Sequence, residues 1–202
     1  MPFLFFRRPT ESLENRVVEF GLSKGFNHKH PGKTRGAPPL PPPLNGWGWH
    51  EVQKSIQVGS GSSTYESAKK ALKRWGHFQL GWTYVRPTAE VAEGGGVCVV
   101  AKPLLMWVAN PLKILYVEEK GAETDQKKSF SFGASTLKGH LLAGEERFKV
   151  KMKKDDSVWY EIYSFSRPSH LLSMISYPVV RYLQYRFAID SMRSMAKAAQ
   201  ND

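Results

Sequence analysis

The sequence has a single cysteine, Cys98, among 202 residues, so no disulfide can form within the chain. This excludes the class of small domains that are held together by disulfides, and it suits a reducing compartment. Cys98 lies in the apolar run Val97–Val100. A thiol in such a run is expected to act as a small buried hydrophobic residue.

Long hydrophobic runs are missing as well. The N-terminal run Pro2–Phe6 stops at Arg7, which is too early for a signal peptide or a spanning helix. No later window offers about 18 uninterrupted apolar residues. We therefore expect any contact with a membrane to be made without a transmembrane helix.

Acidic residues are scarce relative to basic ones. The chain has 29 Lys and Arg but 18 Asp and Glu, which gives a net charge of +11. This charge favours anionic partners, either membranes or nucleic acid. The lysines are not interleaved with aromatic residues in a known nucleic-acid motif, so we expect no nucleic-acid partner. An anionic membrane surface is the expected partner, contacted by Lys69, Lys70, Lys73, Lys149, Lys151 and Lys153. A solvated basic face is the alternative interpretation.

Apolar residues are plentiful enough for a core. Hydrophobic residues make up 41% of the chain and aromatic residues 12%, which indicates one packed domain with an extension. We divide the chain into residues 1–46, a short helix with a proline-rich strap, and residues 47–202, the folded domain. In the extension, Thr10 can cap a helix that runs to Phe20, and five prolines at residues 38–43 favour extended backbone.

The order of the remaining elements predicts the fold class. Glu51–Val58 alternates as a strand, and an amphipathic helix follows from about Ser63. Further strands are predicted at residues 79–85, 97–102, 112–117, 129–132, 146–153 and 158–165, the last two forming a hairpin. A long helix, Pro178–Ala198, ends the pattern. Its predicted apolar stripe consists of Pro178, Tyr182, Tyr185, Ile189, Met192 and Ala196. Its predicted solvent-facing side carries Arg181, Gln184, Arg186 and Arg193.

These elements specify an α+β fold of the helix-grip (START/Bet v 1-like) type, a curved antiparallel sheet wrapped on a long C-terminal helix. One helix across a bent sheet usually leaves a cavity, and such cavities hold apolar ligands. The expected lining is Phe130, Phe132, Tyr160, Ile162, Tyr182, Tyr185, Ile189 and Met192. The same positions would also suit a solid core.

Several stretches resemble the plant branch of the DUF1990 proteins, also called UPF0548. They are Val58–Gly61, Lys70–Trp75, Thr136–Phe148, Val158–Ile162 and Ser164–Pro168. The likeness extends from about residue 46 onward, and no generic fold pattern dictates these residues.

The resemblance implies a protein of the chloroplast outer envelope that acts as a cation-selective channel. The charge of one strand face argues against this, because a pore would repel cations if it were lined by Arg147, Lys149, Lys151 and Lys153. Two functions therefore stay open: an envelope channel, or a soluble and cytoplasmic module that binds a lipid or other apolar small molecule. The sequence does not fix the oligomeric state.

Polar residues near the predicted cavity form the candidate ligand-binding set: His140, Glu145, Glu146, Tyr160, Ser166, Arg167, Tyr182 and Tyr185. Adjacent carboxylates on a strand point to opposite faces, so Glu145 and Glu146 do not easily share one ion. No spacing matches a metal motif, and no cofactor is expected. A structural role is the alternative, with a glutamate that caps backbone groups or pairs with Arg147 or Arg167.

Catalysis is not expected. Ser166 is not accompanied by the Gly-x-Ser-x-Gly elbow that positions a nucleophilic serine. Gly59-Ser60-Gly61 precedes a helix but lacks the lysine of a phosphate-binding loop. We therefore predict that the protein is not an enzyme.

Overall fold

The computed structural model describes residues 2–41, 44 and 48–200. The strands of these residues are β1 (Phe3–Phe5), β2 (His50–Ser60), β3 (Thr83–Tyr84), β4 (Gly96–Ala101), β5 (Trp107–Lys120), β6 (Gln126–Thr136), β7 (Leu142–Lys153) and β8 (Ser157–Pro168). The α-helices are α1 (Glu11–Lys24), α2 (Gly61–Lys73), α3 (Leu171–Ile175) and α4 (Tyr177–Ala198). None of these helices combines the length and hydropathy that a bilayer span requires.

The strands pair antiparallel in one sheet of order β2-β8-β7-β6-β5-β4-β3, with β1 beside β5. Register shifts in β2, β5 and β6 add local bends to the ladder. The sheet curves around α4, so the predicted helix-grip fold is confirmed. The predicted hairpin is also confirmed, because β7 and β8 pair from Leu142↔Pro168 to Met152↔Val158.

The concave face of the sheet carries the main core. On β7, Phe148, Val150 and Met152 point to this face, as their alternation with basic residues predicts. The helices add Tyr65, Ala68 and Leu72 from α2 and Ala188, Met192 and Met195 from α4. Each large apolar side chain buried here contributes about 1.5–3 kcal/mol. These side chains fill the half of the concave face next to the β7–β8 hairpin.

The N-terminal helix covers part of the convex face. Thr10 caps α1 as predicted, since its side-chain oxygen accepts from the Leu13 amide. The helix packs on β4 and β5 and buries Cys98 together with Val17 and Ala109. Burial raises the pKa of the Cys98 thiol to about 12. The thiol is therefore an unreactive member of a small apolar cluster.

Residues 26–36 form a strap that hydrogen bonds fasten to the convex side of β7. The Glu145 carboxylate accepts from the amide of Gly32 at 2.5 Å and from the amide of Thr34 at 2.8 Å. Arg147 donates to the Thr34 carbonyl oxygen at 2.7 Å. The predicted structural role, a glutamate that caps backbone groups of a loop, is confirmed for Glu145.

Two predictions about local structure are wrong. At residues 79–85 the chain turns, and Thr83–Tyr84 alone pairs as a strand, because Trp75 and Gly81 take φ angles of 60° and 79°. On α4, Tyr182 and Tyr185 are exposed and do not line the interior. Small residues of α4, such as Ala188, face the sheet instead, because they allow the helix to approach it closely.

The proline-rich segment is described in part. Leu40 is buried against Tyr163 and Phe165 on the convex face, so this end of the segment packs on the sheet. Pro42 and Pro43 lie outside the described residues, and so does the predicted domain boundary between residues 46 and 47.

Gly144 is expected to be essential for the close approach of β7 and β8. A Cβ atom at this position would overlap the carbonyl oxygen of Phe165 on β8. Gly144→Ala should therefore lower the free energy of unfolding by about 2 kcal/mol or more, measured by urea denaturation. Gly121→Ala is the matched control, because a Cβ there meets no atom within 4 Å. Equal effects of the two substitutions would contradict this account.

Candidate functional site

A cavity of about 210 Å³ lies between the sheet and the first half of α4. Small side chains of β6, β7 and β8 form its floor: Thr136, Gly144, Ser164 and Ser166. Side chains of α4 form its roof: Val180, Leu183, Phe187 and Ala188. The floor lacks the large residues that fill the other half of the concave face, so space remains beneath the helix.

Glu146 brings a carboxyl group into this floor. It lies on β7 between Ala134 of β6 and Ser164 of β8. Among the described residues, no side chain pairs with its carboxyl group. Glu146 is half-buried, and desolvation in the cavity without a partner penalises the charged form and raises the pKa of Glu146 to about 7. The group is therefore partly protonated at neutral pH and can then both donate and accept a hydrogen bond.

Two further polar groups belong to the cavity lining. Oδ1 of Asn110, on β5, is buried and has no hydrogen-bond partner within the described part of the chain. Nδ1 of His140 accepts from the Leu142 amide at 2.9 Å, so the neutral ring carries its proton on Nε2. Burial lowers the pKa of His140 to about 3 and keeps the ring neutral. The lining thus combines acceptors at Asn110 and Glu146 with a donor at His140.

Trp82 fixes α4 over the cavity. Its indole N–H donates to the Asp190 carboxylate at 3.0 Å, and the Arg186 guanidinium lies 4.7 Å from the centre of its ring. A second contact between α4 and the sheet is made by Gln184, which donates to the Ser166 hydroxyl of β8 at 2.7 Å. These contacts set the height of the helix above the floor.

Three of the predicted ligand-binding residues meet in the cavity: His140, Glu146 and Ser166. Tyr160 is buried in the adjoining core, where its hydroxyl lies 2.8 Å from the hydroxyl of Ser191 on α4. Its hydroxyl is thus engaged with the helix.

The other predicted site residues lie elsewhere. Glu145 adjoins the cavity, but its carboxylate points to the convex side and holds the strap. Arg167 is exposed and lies 4.6 Å from the centre of the Trp49 ring. Tyr182 and Tyr185 are 62% and 59% exposed, on the outer side of α4.

The predicted membrane-surface lysines fall into two groups. On the convex face, Lys149 donates to the Gln126 side chain at 2.9 Å and Lys151 pairs with Glu161 at 2.9 Å. On the same strand, Lys153 lies over the Trp159 ring. The lysines of α2 lie on the helix that packs on the concave core: Lys69, Lys70 and Lys73. The sheet separates the two groups, so they do not form a single patch.

Sequence reasoning misses several residues of the site, among them Trp82, Asn110 and Gln184. Asn110 leaves a signal, since it is a lone polar residue in the apolar run 107–112, but the predicted strand starts only at Leu112. Helical periodicity predicts that Gln184 faces solvent, yet its side chain lines the cavity. Trp82 lies in the segment 79–85, for which the sequence predicts a strand. Nothing in the sequence indicates that it contacts the cavity.

Known proteins are similar in sequence to this chain over most of the strap and over the cavity floor. Residues 30–194 match the family described as a domain of unknown function, DUF1990. The chain belongs to the DUF1990 family. The membership of the DUF1990 family predicted from the motifs is therefore confirmed, and the match includes the strap residues Gly32 and Thr34.

Two relatives of this DUF1990 chain are UPF0548 proteins. The protein of Arabidopsis thaliana is 36% identical over 200 residues, which covers 98% of each chain. The protein of Dictyostelium discoideum is 37% identical over 155 residues, 72% of this chain and 71% of the relative. Among solved structures, a hypothetical protein from Helicobacter pylori aligns with a TM-score of 0.50 at 8% identity, over 82% of this chain and 97% of that one. This last likeness supports the fold alone.

Glu146 should make the stability of the protein fall as pH rises. Its pKa is about 7 in the folded protein against 4.5 ordinarily, so the folded state retains the proton better, and stability is lost between about pH 4.5 and 7. Glu146→Gln removes this loss. The stability of the variant relative to the wild type should therefore increase by about 2 kcal/mol or more between pH 5 and pH 8, measured by urea denaturation.

The control for this measurement is Glu90→Gln, which changes an exposed carboxylate. Its effect should be the same at both pH values. A Glu146→Gln effect that is equally independent of pH would show that the cavity does not desolvate the carboxyl group.

Proposed function

We propose that this DUF1990 protein binds a small, mainly apolar molecule that carries a hydrogen-bond donor, in the cavity beneath α4. The observation that carries the proposal is the position of Glu146, an unpaired carboxyl group in a cavity whose roof is apolar. A protein that used this space only for packing would gain stability by filling it and by removing the carboxyl group.

The volume limits the size of the ligand. An apolar cavity of about 150 Å³ holds a benzene molecule, so the 210 Å³ here suits a ligand with one or two rings, or a branched chain of similar size. A longer lipid chain would require α4 to move away from the floor. The contacts of Trp82 with Asp190 and Arg186 would have to break for that movement.

The polar groups determine the chemistry of the ligand. Glu146 and Asn110 present oxygen atoms that lack partners within the described chain, and a ligand N–H or O–H would satisfy them. A purely apolar ligand would leave both oxygens buried without a partner. The cavity therefore favours an apolar body with a donor group over an isosteric hydrocarbon.

Other functions stay predictions. The chloroplast-envelope location and the cation-channel activity are implied by the sequence resemblance. The absence of enzymatic activity and the contact of the six lysines with an anionic membrane also stay predictions. The positions of Lys149 and Lys151, paired on the convex face, favour the binding module over a pore lined by that strand.

Indole and indene provide a direct test, because the two molecules have nearly the same shape and only indole carries an N–H donor. Backbone amide NMR titrations should show both molecules perturbing residues of the floor, with indole binding about tenfold more tightly. In Glu146→Leu the preference for indole should fall.

Filling the cavity is the second arm of the test. Ser164→Leu places a larger apolar side chain in the floor and should abolish binding of both molecules while the protein stays folded. Ser62→Leu, at an exposed site near the hairpin, is the matched control and should bind as the wild type does. If neither molecule binds the wild type, or if Ser164→Leu binds as well as Ser62→Leu, the proposal is wrong.

A further inference from the structure

Large apolar side chains are exposed mainly around one end of the molecule. Of the 14 such residues in the described chain, 10 lie at residues 104–105 or 171–185. Leu105 is 87% exposed and Ile175 is 74% exposed. Single exposed apolar residues need no explanation, but a concentration of this kind marks an interaction surface. We name six of them the apolar rim: Leu104, Leu105, Leu171, Leu172, Met174 and Ile175.

The apolar rim borders the cavity. Pro103, which precedes Leu104, lines the cavity from the β4–β5 loop. Leu141 and Val180 line it from the side of α3 and α4. The two parts of the rim therefore flank the same space. A partner that binds the rim would also lie at the entrance to the cavity.

Both parts of the rim stand on anchored backbone. In the β4–β5 loop, the Lys102 amide donates to the Trp82 carbonyl oxygen at 2.7 Å. In α3, the Ser173 hydroxyl donates to the Leu141 carbonyl oxygen at 2.8 Å, and Ser173 is buried. The apolar side chains between these anchors are thus held outward and are not part of a hydrophobic cluster in the described fold.

The charges around the rim have one sign. Residues 94–117 and residues 162–189 contain no Asp or Glu. The same stretches contain the basic residues Lys102, Arg167, Arg181 and Arg186, whereas their Lys113 lies farther along β5 beside the strap. Next to them, Asp190 is engaged by Trp82 and Arg186. The surface is therefore complementary to an anionic partner.

The N-terminus extends the same pattern. Phe5 of β1 pairs with Trp107 of β5, directly after the β4–β5 loop. The next residue, Phe6, is 87% exposed and is followed by Arg7 and Arg8. An exposed aromatic side chain and two further cations thus lie beside the loop part of the rim.

We propose that the apolar rim docks on the surface of an anionic lipid bilayer, with its leucine and isoleucine side chains inserted among the lipids. The basic residues around it would face the headgroups, and exposed tyrosines of α4 suit the boundary between headgroups and acyl chains. The inference concerns a surface outside the cavity and does not depend on which ligand the cavity holds.

A second copy of the chain fits this surface less well than a bilayer does. A symmetric dimer would place the rim of one copy against that of the other and would bring arginines of like charge together. The net charge of +11 adds to this repulsion. An anionic bilayer offers both an apolar interior and neutralising charge.

The test is co-sedimentation of the full chain with vesicles of phosphatidylcholine, with and without phosphatidylserine. The wild type should bind the phosphatidylserine vesicles, and high salt should weaken the binding. The double variant Leu105→Glu with Ile175→Glu should bind about tenfold more weakly or worse, because charged side chains resist insertion. Both sites are exposed, so circular dichroism and the Tm should match those of the wild type.

The matched control adds the same charge elsewhere. Gln57→Glu with Ser62→Glu changes two exposed residues near the β7–β8 hairpin, at the other end of the strands. This variant should keep most of the wild-type binding.

Three outcomes would overturn the proposal. The first is no binding of the wild type to either vesicle, and the second is an equal loss in both double variants, which would indicate overall charge alone. The third is self-association of the wild type, seen by sedimentation velocity without lipid, that Leu105→Glu with Ile175→Glu abolishes. That result would assign the rim to a second copy of the chain.

Discussion

The contact between α4 and the concave face of the sheet is the constraint on which the other features depend. Where the sheet offers Phe148, Val150 and Tyr160, side chains of α4 and of α2 fill the contact and form the core. Where it offers serine, threonine and glycine, the same helix spans a space that it cannot fill. One rigid element thus produces both a stable core and a cavity, because helix and sheet meet as surfaces of fixed shape. The difference lies in the residue sizes along β7 and β8.

Much of this architecture follows from the sequence. The alternation along β7 and the apolar spacing of α2 reflect the faces that they bury, and such periods can be read without a structure. The side of α4 that faces the sheet is harder to predict, because α4 carries apolar residues on two sides. Tyr182 and Tyr185 fit a helical stripe as well as Met192 does, yet they belong to the outer side. Periodicity shows that a stripe exists, and it does not show what covers it.

The site is less predictable because it depends on contacts between distant residues. Strand geometry alone places Glu145 and Glu146 on opposite faces. It does not reveal that Glu145 is satisfied by Gly32 and Thr34, more than a hundred positions earlier, whereas Glu146 has no partner among the described residues. Two neighbouring residues of one type therefore differ in their hydrogen bonding for reasons that lie elsewhere in the chain. The identity of a glutamate says little until its surroundings are known.

Cys98 gives the fold a chemical reporter. It is the chain's one thiol, and α1 covers it against β4 and β5. Cys98 is 7% exposed, so a thiol reagent should reach it much faster when the helix leaves the sheet, and the rate of modification then reports that opening. Since α1 lies on the opposite face of the sheet from the cavity, the same rate would reveal whether an event beneath α4 is transmitted through the strands. A single buried sulfur atom thus makes communication across the sheet measurable.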